Sequence, residues 1–234
     1  MSGPPWLGIW YQDPAIVVVD KPGGLLAVPG RGPDKQDSVA LRVRHLWPRC
    51  IEQPAVHRLD MDTSGLMVLG LTGAAHRYLS LQFAERRVGK AYLALVEGVV
   101  AGEAGEIALR FRLDPTNRPH QVYDPIRGKL GVSRWRKLAV RSGRTLVAFT
   151  PLTGRTHQLR LHASHPLGLG CPIVGDRLYG SGQAGDSLLL HAARLQFEHP
   201  VSGQILTFAS PPPDESDGSP KGWPLRAWRD SGFL

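Results

Sequence analysis

His57-Arg58-Leu59-Asp60-Met61-Asp62-Thr63-Ser64-Gly65-Leu66-Met67-Val68-Leu69 runs from a polar turn closed by glycine straight into a continuous apolar stretch. The half after Gly65 is short, apolar and ended by Gly70, the pattern of a strand buried on both faces. The half before it carries Asp, Thr, Ser and Gly, residues that turn the backbone tightly and hydrogen-bond their own main chain. A carboxylate on such a turn, fixed by the strand behind it, suits a precise chemical site. Arg58 adds a planar fork of donors that matches phosphate or carboxylate. The residues alone leave two readings open: a loop whose Asp60 and Ser64 satisfy backbone N–H groups, or a working site on Asp60.

The flanking sequence supplies the rest of the fold. Ile16-Val17-Val18-Val19, closed by Asp20-Lys21-Pro22-Gly23-Gly24, predicts a buried strand entering a turn. Leu25 to Val28 predicts a second short strand, and residues 38–47 a helix capped by Asp37 or Ser38. Ala75, Tyr78, Leu79, Gln82 and Phe83 fall at i, i+3, i+4, i+7 and i+8, so a helix is expected with only Gln82 breaking its apolar face. Residues 92–100 predict a strand, and residues 107–113 alternate apolar with basic side chains like a half-buried strand. Residues 138–140 and 145–149 flank Ser142-Gly143 as a hairpin, with further strands at 188–190 and 205–208. Strands outnumber helices and seldom alternate with them. The expected class is therefore α+β, with a central mixed, largely antiparallel β-sheet flanked by helices and loops. A domain over residues 1–212 is expected. A tail over 213–234 follows, rich in Ser, Pro, Asp and Gly, with Trp223, Trp228 and Phe233 available to dock it.

The chain has 234 residues, 42% hydrophobic and 21% charged, which excludes the composition of a disordered protein. Lys and Arg number 28 against 20 Asp and Glu, a formal charge of +8. Such a balance favours polyanionic partners, because each cation placed on a phosphate releases a condensed counterion. Two cysteines are too few for a disulfide scaffold, and no CxxC pair suggests a metal. The first residues lack the basic and apolar regions of a secretory signal, and no apolar run approaches the ~20 residues that span a bilayer. A cytoplasmic location is expected, with no membrane association.

The motif His57-Arg58-Leu59-Asp60-x-x-Thr63-Ser64-Gly65 resembles the signature of RluA-type pseudouridine synthases. Val19-Asp20-Lys21-Pro22-Gly23-Gly24-Leu25-Leu26 resembles that family's entry strand and turn, and Lys90-Ala91-Tyr92 its tyrosine-bearing segment. Gly154-Arg155-Thr156-His157-Gln158-Leu159-Arg160-Leu161-His162 resembles its last core motif. Pro172-Ile173-Val174-Gly175-Asp176 and Leu190-His191-Ala192 also fit the pattern, so the resemblance covers roughly residues 10–212. It implies a pseudouridine synthase fold and conversion of uridine to pseudouridine in 23S rRNA or tRNA stem-loops. It further implies Asp60 as the catalytic carboxylate, Tyr92 stacked on the target uracil, and Arg160 paired with Asp60. Arg58 is expected to hold the extruded nucleotide, with His57, Thr63, Arg155 and His157 as further RNA contacts. The pattern begins about ten residues from Met1, so a short, single-domain member without an S4-like domain is expected, acting as a monomer. The reaction is an isomerisation, so no cofactor is expected. That agrees with the lack of any P-loop, Rossmann fingerprint, GxSxG elbow or zinc-deaminase signature.

Other constellations weigh less. His157, His162 and His165 are close in sequence, but no cysteine or carboxylate pair completes a metal set, and no metal is expected. Arg127, Lys129, Arg134, Arg136, Lys137, Arg141 and Arg144 surround Trp135, which reads equally as an RNA-tracking surface or a solvated hairpin. An RNA-binding module without catalysis would not need Asp60. A glycosidase would need a second facing carboxylate, for which Asp62 is the only close candidate.

Overall fold

The computed structural model describes residues 7–213 and residue 223. In chain order its elements are β1 (Gly8–Gln12), β2 (Ile16–Lys21), α1 (Val39–Leu46), β3 (Ser64–Gly70), α2 (Gly73–Ala84), β4 (Gly89–Glu97), β5 (Ala104–Leu113), β6 (Gln121–Tyr123), β7 (Lys129–Arg141), β8 (Arg144–Pro151), α3 (Gln158–Ser164), β9 (Leu190–Glu198) and β10 (Ile205–Ala209). The class is α+β, with mostly antiparallel strands and few helices. The chain divides into two units: the residues up to Lys90 with Ala192–Pro211, and Ala91–His191 with the chain from Pro212.

In the first unit β3 is buried at every position, as its uninterrupted apolar run requires. It pairs antiparallel with β2, from Ile16 opposite Gly70 to Lys21 opposite Gly65. β1, which the sequence reading missed, lies on β2 with a bulge between Ile9 and Tyr11. Its residues are largely exposed, so no apolar pattern announced it. β10 pairs with β9 from Ile205 opposite Glu198 to Ala209 opposite Arg194. Ile16, Val68, Leu79, Leu195 and Phe197 share one core.

Ser38 caps α1, its Oγ accepting from the Leu41 N–H. Asp37 instead grips the buried Arg42, at 2.8 Å to Nε and 2.6 Å to Nη2. The strand expected at 25–28 does not form. Its carbonyls are used at the helix start, where Leu26 O accepts from Val39 N at 2.8 Å and Ala27 O from Ala40 N at 3.1 Å. Orphan amides at a helix N-terminus thus outcompeted a strand partner. The polar break in α2 also has its reason. The Gln82 amide donates to Glu198 O at 2.8 Å and accepts from Glu198 N at 2.9 Å.

In the second unit the strands lie in the order β4-β8-β7-β5-β6, each pair antiparallel. Ile107, Leu109 and Phe111 alternate into the core under α3, as the period of two predicted. The β7–β8 hairpin turns on Ser142 (φ 50°) and Gly143 (φ 73°), the double positive φ of a two-residue type I′ turn. β4 stops at Glu97, short of the expected end at 100, because Gly98 turns the chain at φ 86°. Thr145 Oγ1 then secures the exit, donating to Gly98 O and accepting from Val100 N. Residues 188–189 lie outside a strand, although Leu189 still bonds Leu95 and Val174 through its backbone. Among the described residues no helix is long and apolar enough to cross a membrane.

Candidate active site

The first unit builds the carboxylate loop from behind. Gly65 sits at φ +113°, and a Cβ there would lie 2.5 Å from the Ala192 carbonyl oxygen, so only glycine fits. Thr63 N bonds Asp60 O at 3.2 Å and closes the turn. Met61 O accepts from Gly24 N at 2.9 Å and from Lys21 Nζ at 2.7 Å, which ties the turn to the end of β2. The same ammonium donates to Pro22 O at 2.9 Å and Leu25 O at 2.7 Å. Three carbonyls therefore take the three N–H bonds of Lys21.

Lys21 is completely buried. Burial pushes its pKa down to about 7, against the opposing pull of Asp62, Asp60 and Asp20. The Asp60 carboxylate is half-buried and makes no hydrogen bond among the described residues. An anion beside a buried cation, with its lone pairs uncommitted, has the properties of a nucleophile or base.

The neighbours of Asp60 divide into exposed and supporting groups. Arg58 is exposed and has no partner among the described residues. The His57 ring stacks on Phe83 at 4.4 Å and 20°, and its Nε2 accepts from Val68 N at 3.1 Å. Burial, with the charge of Lys90, lowers its pKa to about 3, so the ring is neutral and its Nδ1 carries the proton. This contact pattern makes His57 a support for the loop. Thr63 is buried, and its Oγ1 has no hydrogen-bond partner among the described residues.

The second unit carries Tyr92 and Arg160. Tyr92 lies opposite Phe149 on β8, half-buried against the core. Gln158 anchors α3 by donating to Val132 O at 3.0 Å and Ser133 Oγ at 2.8 Å. Arg160, in the first turn of this helix, is buried and bidentate on Asp176, at 2.8 Å from Nε and 2.6 Å from Nη2. Asp176 also accepts from the N–H groups of Leu178 and Tyr179. Burial alone would raise the Asp176 pKa. The Arg160 bonds and charge, with those two N–H groups, more than offset it and hold the carboxyl below its ordinary value.

The guanidinium lies 5.4 Å from the Tyr179 ring centroid. The Tyr179 hydroxyl bonds His157 Nδ1 at 2.9 Å and accepts from Gln121 N at 2.7 Å. His157 is thus a buried member of this network, while Arg155 is exposed, reaching Leu130 O at 3.3 Å. Sequence reasoning gave Arg160 only Asp60 as a partner. It missed Asp176, whose segment had matched the family pattern without acquiring a role. Lys21 was missed in the same way, read only as part of a turn.

The remaining candidates separate cleanly. Arg134, Lys137 and Arg144 are met by Glu106, Glu103 and Glu97. Arg127, Lys129, Arg136 and Arg141 are exposed without an ion pair among the described residues. His162 is buried with both ring nitrogens unpartnered among the described residues, and burial followed by the charge of His165 lowers its pKa to about 4. Of the tail aromatics, Trp223 meets the His191 ring edge-on at 6.4 Å. Trp228 and Phe233 lie outside the described residues.

A half-exposed carboxylate on a lysine-braced turn, followed by a buried strand, coincides with a known family of RNA isomerases. The chain belongs to the RNA pseudouridylate synthase family, whose model matches residues 15–165. It is of the RluA type, an isomerase that converts uridine in RNA to pseudouridine. It is 45% identical over 208 residues to the dual-specificity RNA pseudouridine synthase RluA of Haemophilus influenzae, covering 87% of this chain and 92% of that one. The Escherichia coli K12 protein of the same name is 44% identical over 211 residues, covering 88% and 94%. Among solved structures, human RNA pseudouridylate synthase domain containing 4 superposes with a TM-score of 0.69 at 26% identity, over 89% of each chain. Its domain containing 1 counterpart gives 0.71 at 29%, over 92% of this chain and 86% of that one.

Proposed function

We propose that this enzyme isomerises particular uridines in both 23S rRNA and tRNA stem-loops, with Asp60 as its catalytic carboxylate. The observation that carries the reading is the state of Asp60. It is partly open, makes no hydrogen bond among the described residues, and stands in the field of the buried Lys21 ammonium. More than one RNA substrate agrees with the dual specificity in the relatives' names, and rRNA and tRNA are the classes that the family resemblance implies. The catalytic domain spans residues 1–212, with 213–234 as a tail, and the protein acts as a cytoplasmic monomer.

Target atoms in a stacked base are out of reach, so the uridine is flipped from its stem-loop at a cost of a few kcal/mol. Loops lower that cost, and sequence-specific RNA recognition mostly targets them. The N1–C1′ bond then breaks, the uracil turns, and C5 bonds to C1′. The proton displaced from C5 is balanced by the one gained at N1, so the product is an isomer. Tyr92 stacks on the loosened uracil, and Arg160, aligned by Asp176, supplies positive charge to the reaction centre. Arg58, Thr63 and Arg155 contact the RNA, while His57 and His157 hold the segments that present them.

Tritium release from RNA labelled at uridine C5 tests the assignment directly. Wild type is expected to release tritium and Asp60→Asn to fall to background. Equal release from both would remove Asp60 from the mechanism.

A further inference from the structure

We propose that Lys90 is a phosphate seat for the substrate RNA, taking a backbone phosphate beside the loop that carries Asp60. The inference rests on the RNA-modifying function above and concerns a residue to which that reading gave no role.

Lys90 stands at the start of β4, half-buried, with Nζ 5.7 Å from the centroid of the Phe83 ring. Phe83 in turn stacks on His57, three residues before Asp60. No carboxylate, carbonyl or hydroxyl meets the Lys90 ammonium among the described residues. The contrast with the fully buried cations is direct. Lys21 has three carbonyls, Arg42 has Asp37, and Arg160 has Asp176.

Burial pushes the Lys90 pKa down, and no neighbouring anion raises it. Its one recorded ring neighbour offers only about 0.5–2 kcal/mol of cation–π attraction. Removing an ammonium from water costs several kcal/mol. The nearby imidazole returns nothing, because His57 is held neutral. A partly dehydrated cation with three unused donors is an arrangement that an incoming oxyanion completes. Lysine, a compact point charge on a long stem, suits a phosphate whose exact orientation varies between substrates. A protein that acts on more than one RNA has use for such a contact, since phosphate positions the chain without reading its sequence.

The experiment is a salt titration of RNA affinity with the full chain, using a fluorescein-labelled tRNA anticodon stem-loop and anisotropy as the signal. Wild type, Lys90→Met and Lys90→Arg are compared between about 50 and 200 mM salt. Lys90→Met is expected to bind roughly tenfold more weakly at the low end, and its slope of log affinity against log salt to shrink by about 0.7–1. Lys90→Arg is expected to recover the wild-type slope. An unchanged slope in Lys90→Met overturns the proposal. So does a lost slope that arginine fails to restore, which would mark a packing role. Lys90→Met should melt at or above the wild-type temperature, because it removes a charge that the fold leaves uncompensated. A clear fall in melting temperature would also count against the proposal. Failure of wild type to release tritium would refute the catalytic reading alone, since the binding slopes do not depend on turnover.

Discussion

Replacing Lys21 by Met should leave a pH signature. The native ammonium titrates near pH 7, whereas the unfolded side chain keeps its proton to about 10.5. Between those values the unfolded chain binds more protons than the native one. Stability therefore rises with pH across this window, by at most 1.36 kcal/mol per unit. The limiting gain from pH 7 to 10.5 is about 5 kcal/mol. Relaxation and water entry reduce such terms in real interiors, so a gain of about 2–4 kcal/mol is expected.

At pH 7 the substitution has two opposing effects. It deletes three charge-assisted hydrogen bonds, worth about 1.5 kcal/mol each, and it also removes the cost of burying the ammonium. The two nearly cancel. By pH 10 only the wild type has gained, so Lys21→Met should trail it by about 2–4 kcal/mol. Urea unfolding of both proteins at pH 7, 8, 9 and 10 measures this. The thiols of Cys50 and Cys171, whose pKa values burial raises, titrate in both proteins and drop out of the difference. Parallel stability curves over the whole window would refute the reasoning. Either the nitrogen is wetter than its position indicates, or the nearby carboxylates fully offset its burial.

Asp176→Asn keeps the shape but removes the charged partner that grips the buried Arg160 guanidinium at 2.6 Å. A loss of about 3–5 kcal/mol in urea unfolding is expected, with a matching fall in tritium release. His162→Phe removes two buried ring nitrogens that have no hydrogen-bond partner among the described residues. It should raise the thermal midpoint measured by circular dichroism at neutral pH. The wild-type imidazole titrates near pH 4 when folded against 6.5 in the unfolded chain. Its stability contribution is thus complete above pH 6.5 and lost as pH falls toward 4. His162→Phe should show a shallower acid decline than wild type by about 3 kcal/mol across that interval.

The parts of this molecule legible in the sequence are those where one local rule acts without competition. The runs at 16–19 and 66–69 had no alternative to a buried strand, and Ser142-Gly143 no alternative to a tight hairpin. Residues 25–28 had an apolar pattern too, but amides at the start of α1 claimed their carbonyls, a competition that no local pattern records. The site shows the same division. Asp60 stood out through its motif. Lys21 and Asp176 did not, because their significance lies in being buried and in which distant groups they meet. Lys21 binds Met61, 40 positions away, and Asp176 binds Arg160, 16 positions away. A lysine in a turn and an aspartate after a glycine look ordinary until those distances close.

The twin bonds of Gln82 to Glu198 have a consequence for how β9 finds its place. A strand that slips by one residue turns its whole apolar face outward. The amide of Gln82 presents a donor and an acceptor together, as a neighbouring strand would, and in the native register the backbone of Glu198 satisfies both. A slipped β9 would break both bonds and leave the amide buried and unmatched. The one polar residue on the inner face of α2 thus works as an index pin. It selects the alignment that puts Leu195 and Phe197 in the core, and it does so from a helix rather than from the adjoining strand.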